Sequence, residues 1–361
     1  SMEVKFTDIE NAAIETAKNE FTNKFGTVRQ GVYRVPYSVL LAGDGEDFSI
    51  ATDKSRIIRA EKNNSGFIKF SALGYSGQDV IDVKQAGPFN EETGTCAYIV
   101  RGVCAALVNR KIAVTGGNIF ACCDTLPGAG LEEASHFCTS LLYVFNDLFS
   151  AGLSRREISD INRWVLANYG NMECYATDPY TSLNGNTLLG DFTNPEKPIL
   201  KEIKPNFAGY GMYVVNIGNT NLNLDEDIAE AQIDRLISAL GCEPEDMTEE
   251  EFYAKIEKMS NPEKESVLFL ADFYTQENFE KLYRKNVTGG TGSPVVEATV
   301  KTEAETCGKN FDKCLPKTAD WKLLCCVKDG TKEIFKKAVE KIFGENCIEI
   351  LHPATHGAVK I

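Results

Sequence analysis

Apolar positions recur at helical spacing in several separate runs, with strand-like alternation between them. Residues 8–24 (DIENAAIETAKNEFTNK) place Ile9, Ala13, Ala17 and Phe21 four apart, which predicts an amphipathic helix. The next segment, GVYRVPYSVLLAGDGEDFSIATDKSRIIRAEKNN, alternates and is rich in Val, Ile and Tyr, which predicts strands and turns. TCAYIVRGVCAALVN (95–109) is apolar almost throughout and predicts a buried helix, and NIFACCDTLP (118–127) reads as a strand. Gly128 and Gly130 then break the chain. Beyond them Leu131, Ala134, Cys138, Leu141, Phe145 and Leu148 repeat at +3 or +4 until Gly152, which predicts a long helix. SRREISDINRWVLANYG gives another, with Ser154 as N-cap and Glu157 three residues on, the spacing of a capping box.

The proline- and lysine-rich stretch FTNPEKPILKEIKP interrupts this pattern, and a domain boundary is expected there, near residue 200. GYGMYVVNIGN then reads as a strand, residues 225–240, 248–258 and 262–284 as helices, WKLLCCVKDG as a strand, GTKEIFKKAVEKIFG as an amphipathic helix and CIEILHPATHGAVKI as a final strand and tail. Helices and strands mix without a regular β-α-β count. The expected class is α+β with two domains, 1–200 and 201–361.

Composition narrows the function. The 361 residues are 43% apolar and 10% aromatic, enough for substantial cores. A net charge of −14, from 52 acidic and 38 basic side chains, argues against nucleic acid or an anionic membrane as the main partner. No apolar run approaches the roughly 20 residues of a membrane span. The first residues lack a signal-peptide core, so a cytoplasmic protein is expected. The 12 cysteines include Cys104, Cys138, Cys325 and Cys326 inside apolar runs, and they read as small buried hydrophobes in a reducing compartment.

The candidate chemistry centres on LPGAGLEEAS, residues 126–135. A glycine turn that opens a helix lets backbone amides converge on one point, and the helix N-terminus adds about half a positive charge, so the pattern suits a phosphate. Glu132 and Glu133 oppose that use. A phosphate about 4 Å from either carboxylate would cost roughly 4 kcal/mol per charge pair at an effective dielectric near 20, unless Mg²⁺ or a lysine intervened. The same two glutamates are also ordinary first-turn residues of a well-built helix.

In its context this turn resembles that of the GHMP small-molecule kinases, galactokinases in particular. ETGTCAYIVRGVCAALVNRKIAVTGGNIFACCDTLPGAGLEEASHFC is similar to the region where a helix ending in RGV precedes a strand and a G-x-G-L-S-S-S-A turn. CYATDPYTSLNGNTLLGDFTNPEKPILKEI resembles the C-G-x-M-D-Q segment and the strand after it. VPYSVLLAGDGEDFS falls where the motif P-G-R-x-x-x-x-G-E/N-H-x-D belongs, and GYGMYVVNIGNTNLNLDEDIAEA and the tail resemble the start of the second domain and the C-terminus. The resemblance implies a two-domain fold: an N-terminal mixed sheet with helices, and a C-terminal ferredoxin-like antiparallel sheet with helices. It implies ATP and Mg²⁺ as cofactors and a small-molecule sugar, galactose or a relative, phosphorylated at its anomeric hydroxyl. By position, Asp178 matches the catalytic aspartate, Asp44 and Asp47 fall on sugar contacts, and Gly128, Ala129, Gly130 and Leu131 form the nucleotide turn. Glu132 and Glu133 replace the serines that meet phosphate and metal, which makes them candidate Mg²⁺ ligands.

Other departures concern the phosphate. Ser38 stands at the catalytic arginine's place, with Arg34 four residues upstream as a substitute. The second glycine loop becomes NFDKCLPKTADW, and Ile228 stands where a sugar-contacting tyrosine would be. An active, divergent sugar kinase and a non-catalytic sugar-binding or regulatory relative both follow from this pattern.

Overall fold

The computed structural model describes residues 5–26, 31–44, 46–73, 77–92, 94–123, 133–170, 177–194, 196–203, 210–218, 238–242, 247–260, 299–303, 321–328, 333, 336, 340, 345–346 and 348–361. Among the described residues its frame is a mixed eight-stranded sheet running β12-β1-β2-β5-β3-β4, with β6 joined to β2 and β7 to β6. Here β1 is Gly31–Asp44, β2 Glu46–Lys62, β3 Phe67–Ala72, β4 Asp79–Asp82, β5 Gly117–Cys123, β6 Thr187–Asp191, β7 Ile199–Ile203 and β12 Val359–Lys360. Among the described residues only β3 and β5 pair in parallel. A second, antiparallel sheet runs β11-β8-β10-β9, formed by Ile348–Leu351, Tyr210–Gly218, Trp321–Lys328 and Thr299–Glu303. The architecture expected from the sequence, a mixed sheet with helices followed by an antiparallel one, is present.

Strand alternation sends successive side chains to opposite faces of the first sheet. One face holds Val32, Ile57, Phe120 and Cys122 against helix α1 (Asp8–Phe25). The other holds Tyr33, Ile58, Ala60 and Phe70 against α2 (Cys96–Asn109), α3 (Glu133–Leu148) and α4 (Arg155–Val165). Each large apolar side chain enclosed there contributes about 1.5–3 kcal/mol. Along α3 the expected positions Ala134, Cys138, Leu141 and Phe145 are all buried, and α4 starts in the Ser154–Glu157 capping box.

Two expectations are corrected. The stripe on α1 is Glu10, Ile14, Ala17 and Phe21, while Ile9 is 57% exposed. A strict +4 repeat drifts about 40° per step on a 3.6-residue helix, so Ile9 and Phe21 cannot share one face. The strand predicted over 118–127 is present as Gly117–Cys123, and residues 124–127 lie outside the described residues. Cys104 and Cys138 are buried as expected, but Cys96 is disulfide-bonded. The expected helices over 225–240, 262–284 and 330–344 lie largely outside the described residues; that over 248–258 is present as α6, Glu249–Glu257.

The outer edge of β2 is covered in three parts. β5 pairs with Arg56–Lys62 and β6 with Glu46–Ile50. The chain's tail fills the interval: Asp53 N donates to His352 O at 2.8 Å and Ala354 N to Ala51 O at 2.7 Å. The tail continues over the C-terminal end of α5 (Thr177–Asn184), where Ala358 N donates to Ser182 O at 3.1 Å, and ends as β12 beside β1. Gly357 is required in this passage, because a Cβ there would lie 2.0 Å from Leu183 O.

Candidate active site

β1 and β2 form one long hairpin whose tip carries the aspartates singled out in the sequence. Asp44 pairs with Glu46 across the tip, and Gly43 with Asp47. Asp47 also pairs with Gly190 of β6, so it sits between two glycine backbones and is half-buried. The side chain of Asp44 lies outside the described residues.

β6 connects this tip to α5, which precedes it in the chain and packs against both β1 and β2. α5 begins at Thr177, placing Asp178 and Pro179 in its first turn. That turn tolerates proline's missing N–H and favours a carboxylate beside the helix N-terminus. One turn further on, Ser182 Oγ donates to Ser38 Oγ at 3.2 Å. The helix carrying Asp178 is therefore fastened to β1 at the position where the resemblance calls for an arginine. The Asp178 side chain lies outside the described residues.

Glu133 opens α3, with its side chain outside the described residues. Gly128, Ala129, Gly130, Leu131 and Glu132 lie outside them entirely, as do Ile228 and the stretch 304–320. Among the described residues no group of three or more His, Cys, Asp or Glu side chains could hold a metal ion. A pair of carboxylates such as Glu132 and Glu133 suits Mg²⁺ by donor chemistry, since hard cations take oxygen ligands.

Arg34 does not serve as the substitute arginine. Its side chain is on the α1 face of the sheet, buried against Glu10, and its guanidinium lies over the Phe6 ring. Glu10 also accepts from Ser55 Oγ at 3.1 Å and closes the capping box of α1 with Thr7. Alternation decides this: Tyr33, which neighbours Arg34, faces α3, so Arg34 faces away.

The sequence reading missed a second arginine. Arg56 of β2 is fully buried on the α3 face. Its Nε donates to His136 Nδ1 at 3.4 Å and its Nη2 to Tyr37 OH at 3.2 Å. His136 stacks on Tyr37 with ring centroids 3.8 Å apart, and its Nε2 lies 3.0 and 3.1 Å from the carbonyls of Val35 and Pro36. Nε2 therefore carries the proton and Nδ1 accepts. Burial, then the charge of Arg56, lowers the His136 pKa well below its ordinary 6.5, so the imidazole is neutral. The available signal was an arginine within the apolar alternation of SRIIRA.

No family model matches the chain. Galactokinase of Chloroflexus aurantiacus is 22% identical over 171 residues, 46% of this chain and 43% of that protein, so the chain matches less than half of the relative's length. Lactococcus lactis galactokinase complexed with galactose superposes with a TM-score of 0.63 at 13% identity, covering 98% of this chain and 100% of that one. Methanococcus jannaschii mevalonate kinase gives 0.51 at 12% identity, covering 91% and 99%. The chain has the fold of the GHMP kinases.

Proposed function

We propose that this chain is a small-molecule kinase of the galactokinase type, transferring the γ-phosphoryl group of ATP to the anomeric hydroxyl of a sugar, galactose or a related one, at an altered phosphate site. The observation that carries this reading is the placement of α5 on β1 and β2 and of β6, which follows it, beside the end of β2 that bears Asp47. Gly190 of β6 pairs with Asp47, and α5, whose first turn includes Asp178, packs on β1 and β2, within a fold that matches a galactose-bound galactokinase over nearly its whole length. Asp178 is assigned the orientation or deprotonation of the attacking hydroxyl. Asp44 and Asp47 are assigned to the sugar's hydroxyls, and the turn Gly128, Ala129, Gly130 and Leu131 to the nucleotide. Glu132 and Glu133 would hold Mg²⁺, which bridges phosphate oxygens and offsets their charge when bound.

The test is calorimetric titration with Mg·ATP, followed by ADP release over a sugar panel. Micromolar ATP binding and sugar-dependent ADP release are expected, with Asp178→Asn losing turnover by about 10²-fold or more while still binding sugar. No heat up to millimolar ATP would sink the reading. A second reading, a sugar-binding or regulatory relative without turnover, draws on Ser38 and Arg34: the first is a hydroxyl bonded to Ser182, the second is turned to the opposite face. Sugar binding without ATP binding would favour it.

A further inference from the structure

Neither α3 nor α5 has a basic residue in its last turn, and α3 places an acid there, Asp147. A carboxylate beside a helix C-terminus is unfavourable, and the last carbonyls of an α-helix lack partners within the helix. The chain's tail supplies what both ends lack. On α3, Lys360 Nζ donates to Asp147 Oδ2 at 2.8 Å, and Tyr33 OH donates to the same oxygen at 2.6 Å, so one atom joins α3, β1 and β12. The Tyr33 ring meets that of Tyr143, one turn before Asp147 on α3, edge to face at 6.0 Å.

On α5 the tail works through its backbone. Ala358 N donates to Ser182 O at 3.1 Å and to Leu183 O at 3.2 Å, two of the carbonyls in the last turn, and Asn186 N just beyond the helix donates to Ala354 O at 2.8 Å. A Cβ at Gly357 would lie 2.0 Å from Leu183 O, and one at Gly185 2.4 Å from Gly357 N, so main chain rests directly on main chain. A contact of this kind has no side-chain rotamers to absorb a displacement, and tail and helix end move as one. The two helices also pack on each other. The tail therefore holds the C-terminal ends of α3, which starts at Glu133, and of α5, which carries Asp178 in its first turn. A helix is a stiff rod, so a shift at one end is carried to the other, about 24 Å away along the 16 residues of α3.

We propose that residues 354–361 are a clamp that sets α3 against α5, with Lys360 as its positioning residue, acting through Asp147. The clamp fixes the separation of Glu133 and Asp178, and so the alignment of phosphoryl donor and attacking hydroxyl, without touching either. The clamp itself stands on the bonds just described; its consequence for turnover rests on the kinase reading. The side chains of Lys360 and Asp147 are 53% and 44% exposed, so their pair adds little to global stability, and the displacement it resists is correspondingly small.

The test is amide hydrogen exchange of the full chain, read by mass spectrometry of its peptides, for wild type, Lys360→Arg and Lys360→Met. Arginine keeps the charge; methionine keeps the apolar stem and loses it. In Lys360→Met, peptides over 133–148 and over 177–184 should both exchange about two- to fivefold faster, with α1 unchanged and Lys360→Arg following wild type. No change in the helices, faster exchange confined to 354–361, or a gain in only one of the two overturns the clamp. An equal gain in α1 would mean general destabilisation and overturns it as well. In sugar-dependent ADP release, Lys360→Met should lower kcat about two- to fivefold with the KM values for ATP and sugar unchanged, as expected of lost alignment rather than lost binding. An unchanged kcat would overturn the role in alignment and leave the kinase reading standing. The expected exchange pattern in a chain that releases no ADP would remove the kinase reading and leave the clamp between α3 and α5 standing.

Discussion

Glu10 shows how much one side chain can hold. It caps α1 with Thr7, pairs with Arg34 and accepts from Ser55, all at 1% exposure. Removing one partner of a buried pair leaves the other charge uncompensated, so Glu10→Ala should cost about 3–5 kcal/mol in urea unfolding. Ser154→Ala, which removes a cap at the surface, should cost about 1 kcal/mol. Equal losses would mean that Glu10 does no more than cap. His136 gives a pH test. Its folded pKa is depressed, so its contribution is complete above about pH 6.5 and is lost as pH falls below that, because the unfolded chain binds a proton that the folded one rejects. His136→Asn should flatten the slope of unfolding free energy against pH between about 6.5 and 5; an unchanged slope would assign that slope to other groups.

Among the elements, α5 and the tail depend on each other. Gly185, with φ +77°, turns the chain out of α5, and a Cβ there would come 2.4 Å from Gly357 N. Gly357 fits against Leu183 O just as tightly, so no side chain can enter at either position. Gly26, also at positive φ, faces open space. Gly26→Ala should therefore cost only about 1 kcal/mol of backbone strain, while Gly357→Ala should displace the tail and lower the melting temperature by several times as much. Similar losses in the two variants would remove the interlock. The tail's last contact is electrostatic: Asp147 accepts from Lys360 Nζ at 2.8 Å and from Tyr33 OH at 2.6 Å. Partial burial raises the Asp147 pKa, but these bonds outweigh it and hold the carboxyl below its ordinary 3.8. The stability they give is present above that value and is lost as acid protonates Asp147, and Asp147→Asn should abolish this acid-side component in a melting-temperature profile.

At the scale of the whole molecule, the first sheet is built from both ends of the chain. Its strands run from Gly31 to Ile203, and the tail then closes the interval in β2 and adds β12. Deleting residues 350–361 should lower the melting temperature of the full chain by more than any single surface substitution, because β2 then loses backbone partners between β5 and β6. No helix among the described residues is long and apolar enough to cross a membrane. The tail also bears on the proposed function, since it fastens the helix that carries Asp178. Its deletion should raise the KM for sugar, measured by ADP release.

What the sequence determined by itself was local. Helical spacing located α3 and α4, the capping box at Ser154 was visible as two residues, and the alternation after Gly31 announced strands, because each depends on neighbours a few positions apart. The motif-like stretches also gave the fold, through their order along the chain. The tertiary structure decided what depends on faces and distant partners. Nothing local in VYRVPYS says that Arg34 turns toward α1, since its direction follows from which face of β1 each helix covers. The helical drift that exposes Ile9 shows only once α1 is set on the sheet. Arg56 and His136, 80 residues apart, become one cluster only when β2 lies beneath α3.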